Sequence, residues 1–274
     1  MKNENSIEKD YIELLKKSLM GCLSDLSFNE VGYAKNTGLK KIANWIFLKL
    51  LPRNLKIVRI SSGSSNTRQN RSDSSFGSFT MVGHKRLDFL EYAIRKIVQE
   101  GIDGDLLEAG VWRGGSAIFM KKMLDILGEK RNLYCCDSFE GMPKPKLEQD
   151  LDSDKGDLSN MEYFSVNVEI VKGNFEQFNA LDQIIHFVKG WFSNTLPKLP
   201  VSKLALLRVD CDLYESTMDV LKNLYDKVQV QGFVYIDDYF NWDSCRKAVE
   251  DFRKTEGVGG ALVRVDSDSV YWRK

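Results

Sequence analysis

The chain has 274 residues, enough for one large α/β domain with an appendage. Lysine plus arginine and aspartate plus glutamate number 39 each, so no charge imbalance argues for a nucleic-acid partner. Five scattered cysteines (Cys22, Cys135, Cys136, Cys211, Cys245) form no C-x-x-C pair and no secreted framework, which fits buried thiols in a reducing cytoplasm.

The polar N-terminus lacks a signal-peptide core, and no apolar stretch approaches the ~18 residues of a membrane span. Apolar spacing predicts an amphipathic helix over 9–24, with Tyr11, Leu14, Leu15, Leu19, Cys22 and Leu23 on or near one face. A second helix is predicted over 39–51. The basic stretch Leu39–Ile60 could lie on a membrane surface, although packing on the domain is the simpler reading. The Ser- and Gly-rich segment 61–78 reads as a mobile loop, either a lid or a linker. Residues 1–79 therefore form an N-terminal region of helices and loop, and 80–274 the main domain.

From Lys85 a helix runs to Gln99, and then strands and helices alternate. Strand Asp105–Ala109 precedes a helix over 116–127, followed by strand Asn132–Cys136. A helix near 165–178 leads to strand Ile184–Val188. Strand Leu204–Val209, a helix over 216–227, strand Phe233–Ile236 and a helix near 243–255 follow. Runs near 261–265 and 269–273 are joined by Asp266-Ser267-Asp268 and predict a hairpin. The product is a mostly parallel α/β sheet that ends in one antiparallel strand.

Two acidic clusters end consecutive parallel strands. Asp210 and Asp212 follow Leu204–Val209, and Asp237 and Asp238 follow Phe233–Ile236. The carboxyl ends of such strands share one edge, where ligands of open α/β sheets bind. Asp210, Asp237 and Asp238 there make a hard oxygen cage suited to Mg²⁺ or Mn²⁺. The first strand ends in a glycine turn, Glu108-Ala109-Gly110-Val111-Trp112-Arg113-Gly114-Gly115-Ser116, that lets a ligand approach a helix N-terminus. Its spacing is not the G-x-G-x-x-G of dinucleotide enzymes, which counts against an NAD-dependent reductase. Asp137, ending the second strand, stands where an acidic residue meets a ribose, with a helix cap as the alternative, since Ser138 and Gly141 follow.

These residues, together with Asp137-Ser138-Phe139-Glu140-Gly141-Met142-Pro143, Gly190-Trp191-Phe192, Thr195-Leu196-Pro197 and Asp210-x-Asp212-x-Tyr214-Glu215-Ser216-Thr217, resemble the macrocin O-methyltransferase family. The resemblance runs from about Thr80 to the C-terminus. It implies a class I methyltransferase fold, a Rossmann-like seven-stranded sheet with the last strand antiparallel. It implies S-adenosylmethionine and a divalent cation, Mg²⁺ or Mn²⁺, as cofactors. The implied activity is methylation of a sugar hydroxyl in a glycosylated natural product or glycan, and a catechol-type acceptor is the alternative. The implied partners are a glycoside or sugar acceptor and further copies of the chain in a cytoplasmic homo-oligomer.

By the same resemblance Glu108, Gly110 and Ser116 line the methionine end of the cofactor. Asp137 holds the ribose, and Ser138 and Phe139 flank the adenine, closed by Gly190 and Trp191. Thr80 and Met81 approach the cofactor carboxylate and sulfonium, and Asp210, Asp237 and Asp238 ligate the metal. Some members of the family carry a His shortly after the first of these aspartates; this chain has none there. A carboxylate base is therefore expected, Asp210 first and Asp212 second, since residues two apart in an extended strand face the same side. His186 reads as a core residue, His84 as a weaker site candidate, Arg86 as either a site residue or a helix-surface salt bridge, and Trp112 as either a site or a packing residue. A cofactor-sensing protein without catalysis is disfavoured by the complete aspartate set.

Overall fold

A computed structural model describes residues 4–23, 26–30, 58–62, 77–151 and 156–274, which divide into two compact units, 1–84 and 85–274. The expected helix over 39–51 and most of the 61–78 loop lie outside the described residues.

In the first unit, helix α1 (Glu4–Leu19) starts and ends about five residues earlier than its apolar spacing suggested. Its buried stripe is Ile12, Leu15, Lys16 and Leu19, while Tyr11, Leu14 and Leu23 are exposed. Lys16 is tolerated on that stripe because its ammonium donates to Glu13 at 3.3 Å. Strands β1 (Leu26–Glu30) and β2 (Val58–Ser62), not anticipated from sequence, pair antiparallel with Phe28 opposite Ile60.

The second unit follows the predicted alternation. Helix α2 (His84–Gln99) leads to β3 (Asp105–Ala109), α3 (Gly115–Leu127) and β4 (Leu133–Asp137). A short helix, α4 (Glu148–Leu151), precedes α5 (Val168–Gln177), β5 (Ile185–Lys189) and α6 (Phe192–Thr195). Then come β6 (Leu204–Val209), α7 (Tyr214–Leu224), β7 (Val228–Ile236), α8 (Asp243–Thr255), β8 (Val263–Arg264) and β9 (Val270–Arg273). The sheet order is β5-β4-β3-β6-β7-β9-β8. The pairs from β5 to β7 are parallel, and β9 runs antiparallel to both β7 and β8.

Central β3 and β6 are covered on both faces, so their residues read as continuous apolar runs rather than alternating ones. Leu106, Leu107, Leu204, Leu206 and Leu207 have no exposed surface. Each side chain buried in this way contributes about 1.5–3 kcal/mol to folding. Phe89 of α2 lies 4.8 Å from the Tyr235 ring and 4.5 Å from Tyr271, which seats that helix against β7 and β9. The order of strands reverses between β3 and β6. Their carboxyl ends therefore frame the crevice in which a ligand of such a sheet sits.

Candidate active site

The turn after β3 is shaped by close backbone approach. Gly110 has φ +89, and a Cβ there would lie 1.8 Å from the carbonyl oxygen of Asp210. Only glycine lets the ends of β3 and β6 come this near. Farther along the turn, Gly114 (φ +87) lets α3 start against Phe175, 2.9 Å from where a Cβ would sit.

Asp137 holds the same turn from the neighbouring strand. Its Oδ2 accepts from the backbone amides of Val111 at 2.7 Å and Trp112 at 3.2 Å, and its Oδ1 accepts from Phe139 at 2.8 Å. Three of about four acceptor positions on this carboxylate thus go to main chain. The residue is a staple between two loops first, and about one position remains for a ribose hydroxyl. The helix cap expected as the alternative is not what forms: among the described residues no helix starts after β4 before Glu148, and the third amide, Phe139, lies in a turn. Ser138 closes that turn, donating to the Gly141 carbonyl at 2.7 Å and accepting from Glu140 at 3.0 Å. Phe139, at φ 54, is buried edge-on to Phe187. The amide of Gly190 donates to the Asp137 carbonyl at 2.9 Å, and the adjoining Trp191 is 38 % exposed. Gly110, Asp137, Ser138, Phe139, Gly190 and Trp191 therefore share one end of the sheet, as the sequence implied.

Glu108 is wholly buried. Its Oε1 accepts from the Ser116 hydroxyl and from Arg208, and its Oε2 has no hydrogen-bond partner among the described residues. Burial raises its carboxyl to about 7 against the opposing pull of Arg208. An unpartnered buried carboxylate oxygen at this strand end suits an ammonium group such as that of a methionine moiety.

Asp210, Asp237 and Asp238 do converge. Each offers a carboxylate oxygen, and the three lie within 4.8 Å of one another. Oxygens bound to one Mg²⁺ stand about 3 Å apart when adjacent and about 4.2 Å when opposite, so three carboxylate oxygens this near one another could be drawn onto a single ion. Asp238 Oδ2 is buried with no hydrogen-bond partner among the described residues. Burial, with Asp212 and Asp210 nearby, pushes the Asp238 carboxyl well up. Burial and Asp237 raise Asp210. The donor set is hard, crowded and short of positive charge, which is the condition a divalent cation relieves.

Two guanidiniums brace this cage. Arg208, fully buried in β6, donates to Glu108 and to Asp237 Oδ1 at 2.8 Å, and forms an ion pair with Asp210 Oδ2 at 2.9 Å. Tyr235 adds a hydroxyl to Asp237 Oδ1 at 2.9 Å. Arg86 donates to the other Asp237 oxygen and reaches Asp266 and Asp268 at 2.7 Å each. Arg86 is thus a buried clamp between α2, the end of β7 and the C-terminal hairpin, not a surface ion pair.

Asp212 is placed differently from its sequence argument. β6 ends at Val209, and Asp212 stands at φ 58 in a turn where the Leu213 amide meets the Cys211 carbonyl at 2.5 Å. The alternation of an extended strand does not apply there, although the carboxylate still lies close enough to raise Asp238. Nor does Asp212 cap α7. The Tyr214 and Glu215 amides donate instead to Asp150 of α4, at 2.6 and 3.2 Å. Asp150, Arg208 and Tyr235 were not singled out from sequence. The one available signal was a charged residue inside an apolar run, Arg208 in β6, since a buried charge demands partners.

Thr80 and Met81 belong to the first unit, where the buried Thr80 hydroxyl accepts from the Val82 amide at 3.2 Å. His84 pairs with Glu13 at 3.0 Å. His186, expected in the core, is only half-buried on edge strand β5, where it meets Asn132 at 3.0 Å and stacks on Tyr134. Trp112 donates from its indole to the Tyr163 carbonyl at 3.0 Å, with Arg113 stacked 4.3 Å over its ring.

A parallel sheet reversing at β3 and β6, closed by an antiparallel strand and carrying a glycine turn at the first strand end, defines a class I methyltransferase. The chain belongs to the macrocin O-methyltransferase (TylF) family, which matches residues 8–274, and is an S-adenosylmethionine-dependent O-methyltransferase. It is 43 % identical over 196 residues (71 % of this chain, 75 % of the relative) to 8-demethyl-8-(2,3-dimethoxy-alpha-L-rhamnosyl)-tetracenomycin-C 4'-O-methyltransferase of Streptomyces olivaceus. It is 37 % identical to demethyldecarbamoylnovobiocin O-methyltransferase of Streptomyces niveus, over 79 % of this chain and 83 % of the relative. The mycinamicin III 3''-O-methyltransferase of Micromonospora griseorubida is 36 % identical, over 76 % and 83 %. Among solved structures, the O-methyltransferase NovP superposes with a TM-score of 0.78 at 31 % identity, over 97 % of this chain and 98 % of that one. Calicheamicin methyltransferase CalS11 shares the fold at a TM-score of 0.58 and 17 % identity, over 87 % and 94 %.

Proposed function

We propose that this enzyme methylates a hydroxyl of a sugar on a glycosylated natural product, with that hydroxyl held on a divalent cation at Asp210, Asp237 and Asp238. The observation that carries the cation is the buried, unpartnered Asp238 Oδ2 within a three-carboxylate cluster. The sugar acceptor is supported by the relatives, which are named for methylation of glycosylated products.

S-Adenosylmethionine supplies the methyl group as an electrophilic sulfonium, and the cation lowers the proton affinity of the bound hydroxyl and fixes its angle of attack. The protein's own residues do the rest. Glu108 Oε2 receives the methionine ammonium. Asp137 fixes the glycine turn and offers its remaining acceptor position to the ribose. Ser116 keeps Glu108 oriented, and Phe139, Gly190 and Trp191 form the adenine side.

Asp212 takes the hydroxyl proton. The geometry favours it over Asp210, because Asp210 is already committed to Arg208 and to the cage, whereas Asp212 stands beside Asp238 outside the three-carboxylate set. Catechol-type acceptors share this cation logic, and an acceptor screen separates them. Purified enzyme with deuterated-methyl S-adenosylmethionine and a panel of glycosides, nucleotide sugars and catechols, read by mass spectrometry, should label a sugar ring. Label confined to catechols would overturn the sugar assignment.

A further inference from the structure

We propose that Arg208 is a positioning residue that ties the cofactor-facing carboxylate, Glu108, to the cation cage, so that a change at Glu108 is felt at Asp210 and Asp237. This rests on the cation reading above.

Nη1 of Arg208 is shared between Glu108 Oε1 and Asp210 Oδ2, and Nη2 is committed to Asp237 Oδ1. All of the side chain is buried, and its Nε has no hydrogen-bond partner among the described residues. The fork is therefore held for its two ends, one on each candidate site. A planar guanidinium does this and an ammonium does not, because a point charge cannot present fixed donors to three carboxylates at once.

The registers place the link in the backbone as well. Glu108 of β3 lies directly opposite Arg208 of β6, and Arg208 directly opposite Tyr235 of β7. Three neighbouring strands thus bring to one line the cofactor carboxylate, the guanidinium and the phenol that also holds Asp237. Arg86 provides the internal contrast. It grips Asp237 from the far side, sends its other donors to Asp266 and Asp268, and forms no ion pair with Glu108, so of the two sites it braces the cage alone.

The direction of the link follows from charge. In the native arrangement Glu108 draws part of the Arg208 charge. Once Glu108 is neutral, the whole guanidinium charge falls on Asp210 and Asp237 and competes with a cation for them. Glu108→Gln should therefore weaken Mn²⁺ binding to the cofactor-free protein, although Glu108 is not among the converging cage carboxylates.

The test is a double-mutant cycle on Mn²⁺ affinity, read by electron paramagnetic resonance of the free ion. Glu108→Gln should lower affinity about tenfold, within the usual range of coupling between linked sites. In an Arg208→Lys background the same change should have little further effect, so that the two substitutions are strongly non-additive. Additive effects would mean that Glu108 acts only as a distant charge, and would overturn the proposal. Should Arg208→Lys fail to fold, Arg86→Lys serves with S-adenosylhomocysteine calorimetry. It should alter Mn²⁺ affinity and spare the homocysteine ligand, whereas Glu108→Gln should weaken both. Mn²⁺ affinity in Glu108→Gln equal to wild type would refute the link, and no Mn²⁺ binding by the wild-type protein would remove the cation reading itself.

Discussion

Replacing Asp137 by alanine separates a loop staple from a simple ligand contact. The substitution removes three hydrogen bonds from backbone amides to a carboxylate, at 2.7, 2.8 and 3.2 Å. Bonds to charged groups are worth about 1.5–3 kcal/mol each, and the half-buried setting argues for the low end. The Phe139 and Val111 bonds should dominate, and solvent can reach some of the freed amides, so a net loss of about 3 kcal/mol is expected. For a chain of this size each kcal/mol lowers Tm by about 2–4 °C, which predicts a fall of about 6–12 °C in differential scanning calorimetry. S-Adenosylhomocysteine affinity should fall more than tenfold at the same time, because the turn that cradles it loosens. Asp137→Asn retains one acceptor oxygen and should recover part of both losses. An unchanged Tm with lost cofactor affinity would refute the staple and return Asp137 to a ribose contact alone.

Gly110→Ala places a Cβ 1.8 Å from a backbone oxygen at a positive φ, so soluble protein should be lost or Tm should fall by more than about 10 °C, as a thermal-shift assay would show. Asp150→Ala removes the side chain that, among the described residues, caps the first amides of α7 and should cost about 1–2 kcal/mol in urea unfolding, with Asp150→Asn intermediate. Asp212→Asn should lower kcat at least tenfold while leaving Mn²⁺ affinity within about threefold; unaltered kcat would remove it as the proton acceptor. Asp238 holds its proton above the usual carboxylate range, so an unfolded chain loses that proton first as pH rises. The stability of the metal-free protein should therefore decline from acid toward neutral pH more steeply in wild type than in Asp238→Asn. Stabilisation by Mn²⁺ should grow over the same interval, and equal pH slopes in the two proteins would contradict the buried acid.

The alternation of strands and helices was legible because two-sided burial writes β3, β4, β6 and the end of β7 as short apolar runs bounded by polar turns. The closing hairpin was legible through Asp266-Ser267-Asp268. The aspartates were legible because they directly follow those runs. Strands β1 and β2 were not, since five-residue segments such as Leu-Ser-Phe-Asn-Glu carry no decisive period. The first half of β7 was missed because Gln229, Gln231 and Gly232 interrupt its pattern at a register shift against β6. The partners of each charge were not legible either. Nothing local says that Arg86 reaches Asp266 and Asp268, 180 and 182 residues away, or that Asp150 caps a helix 64 residues on. Asp212 shows the limit of local rules most sharply, because its strand ended three residues before it.

Metal dependence of turnover tests the central claim most directly. The enzyme is stripped with chelator, checked by elemental analysis, and assayed for methyl transfer to a glycoside acceptor identified by the screen, before and after Mg²⁺ or Mn²⁺ is added back. The arrangement of Asp210, Asp237 and Asp238 predicts that turnover disappears on stripping, returns with either ion in wild type, and does not return in Asp238→Asn. Full turnover by metal-free enzyme would contradict a cation-held hydroxyl.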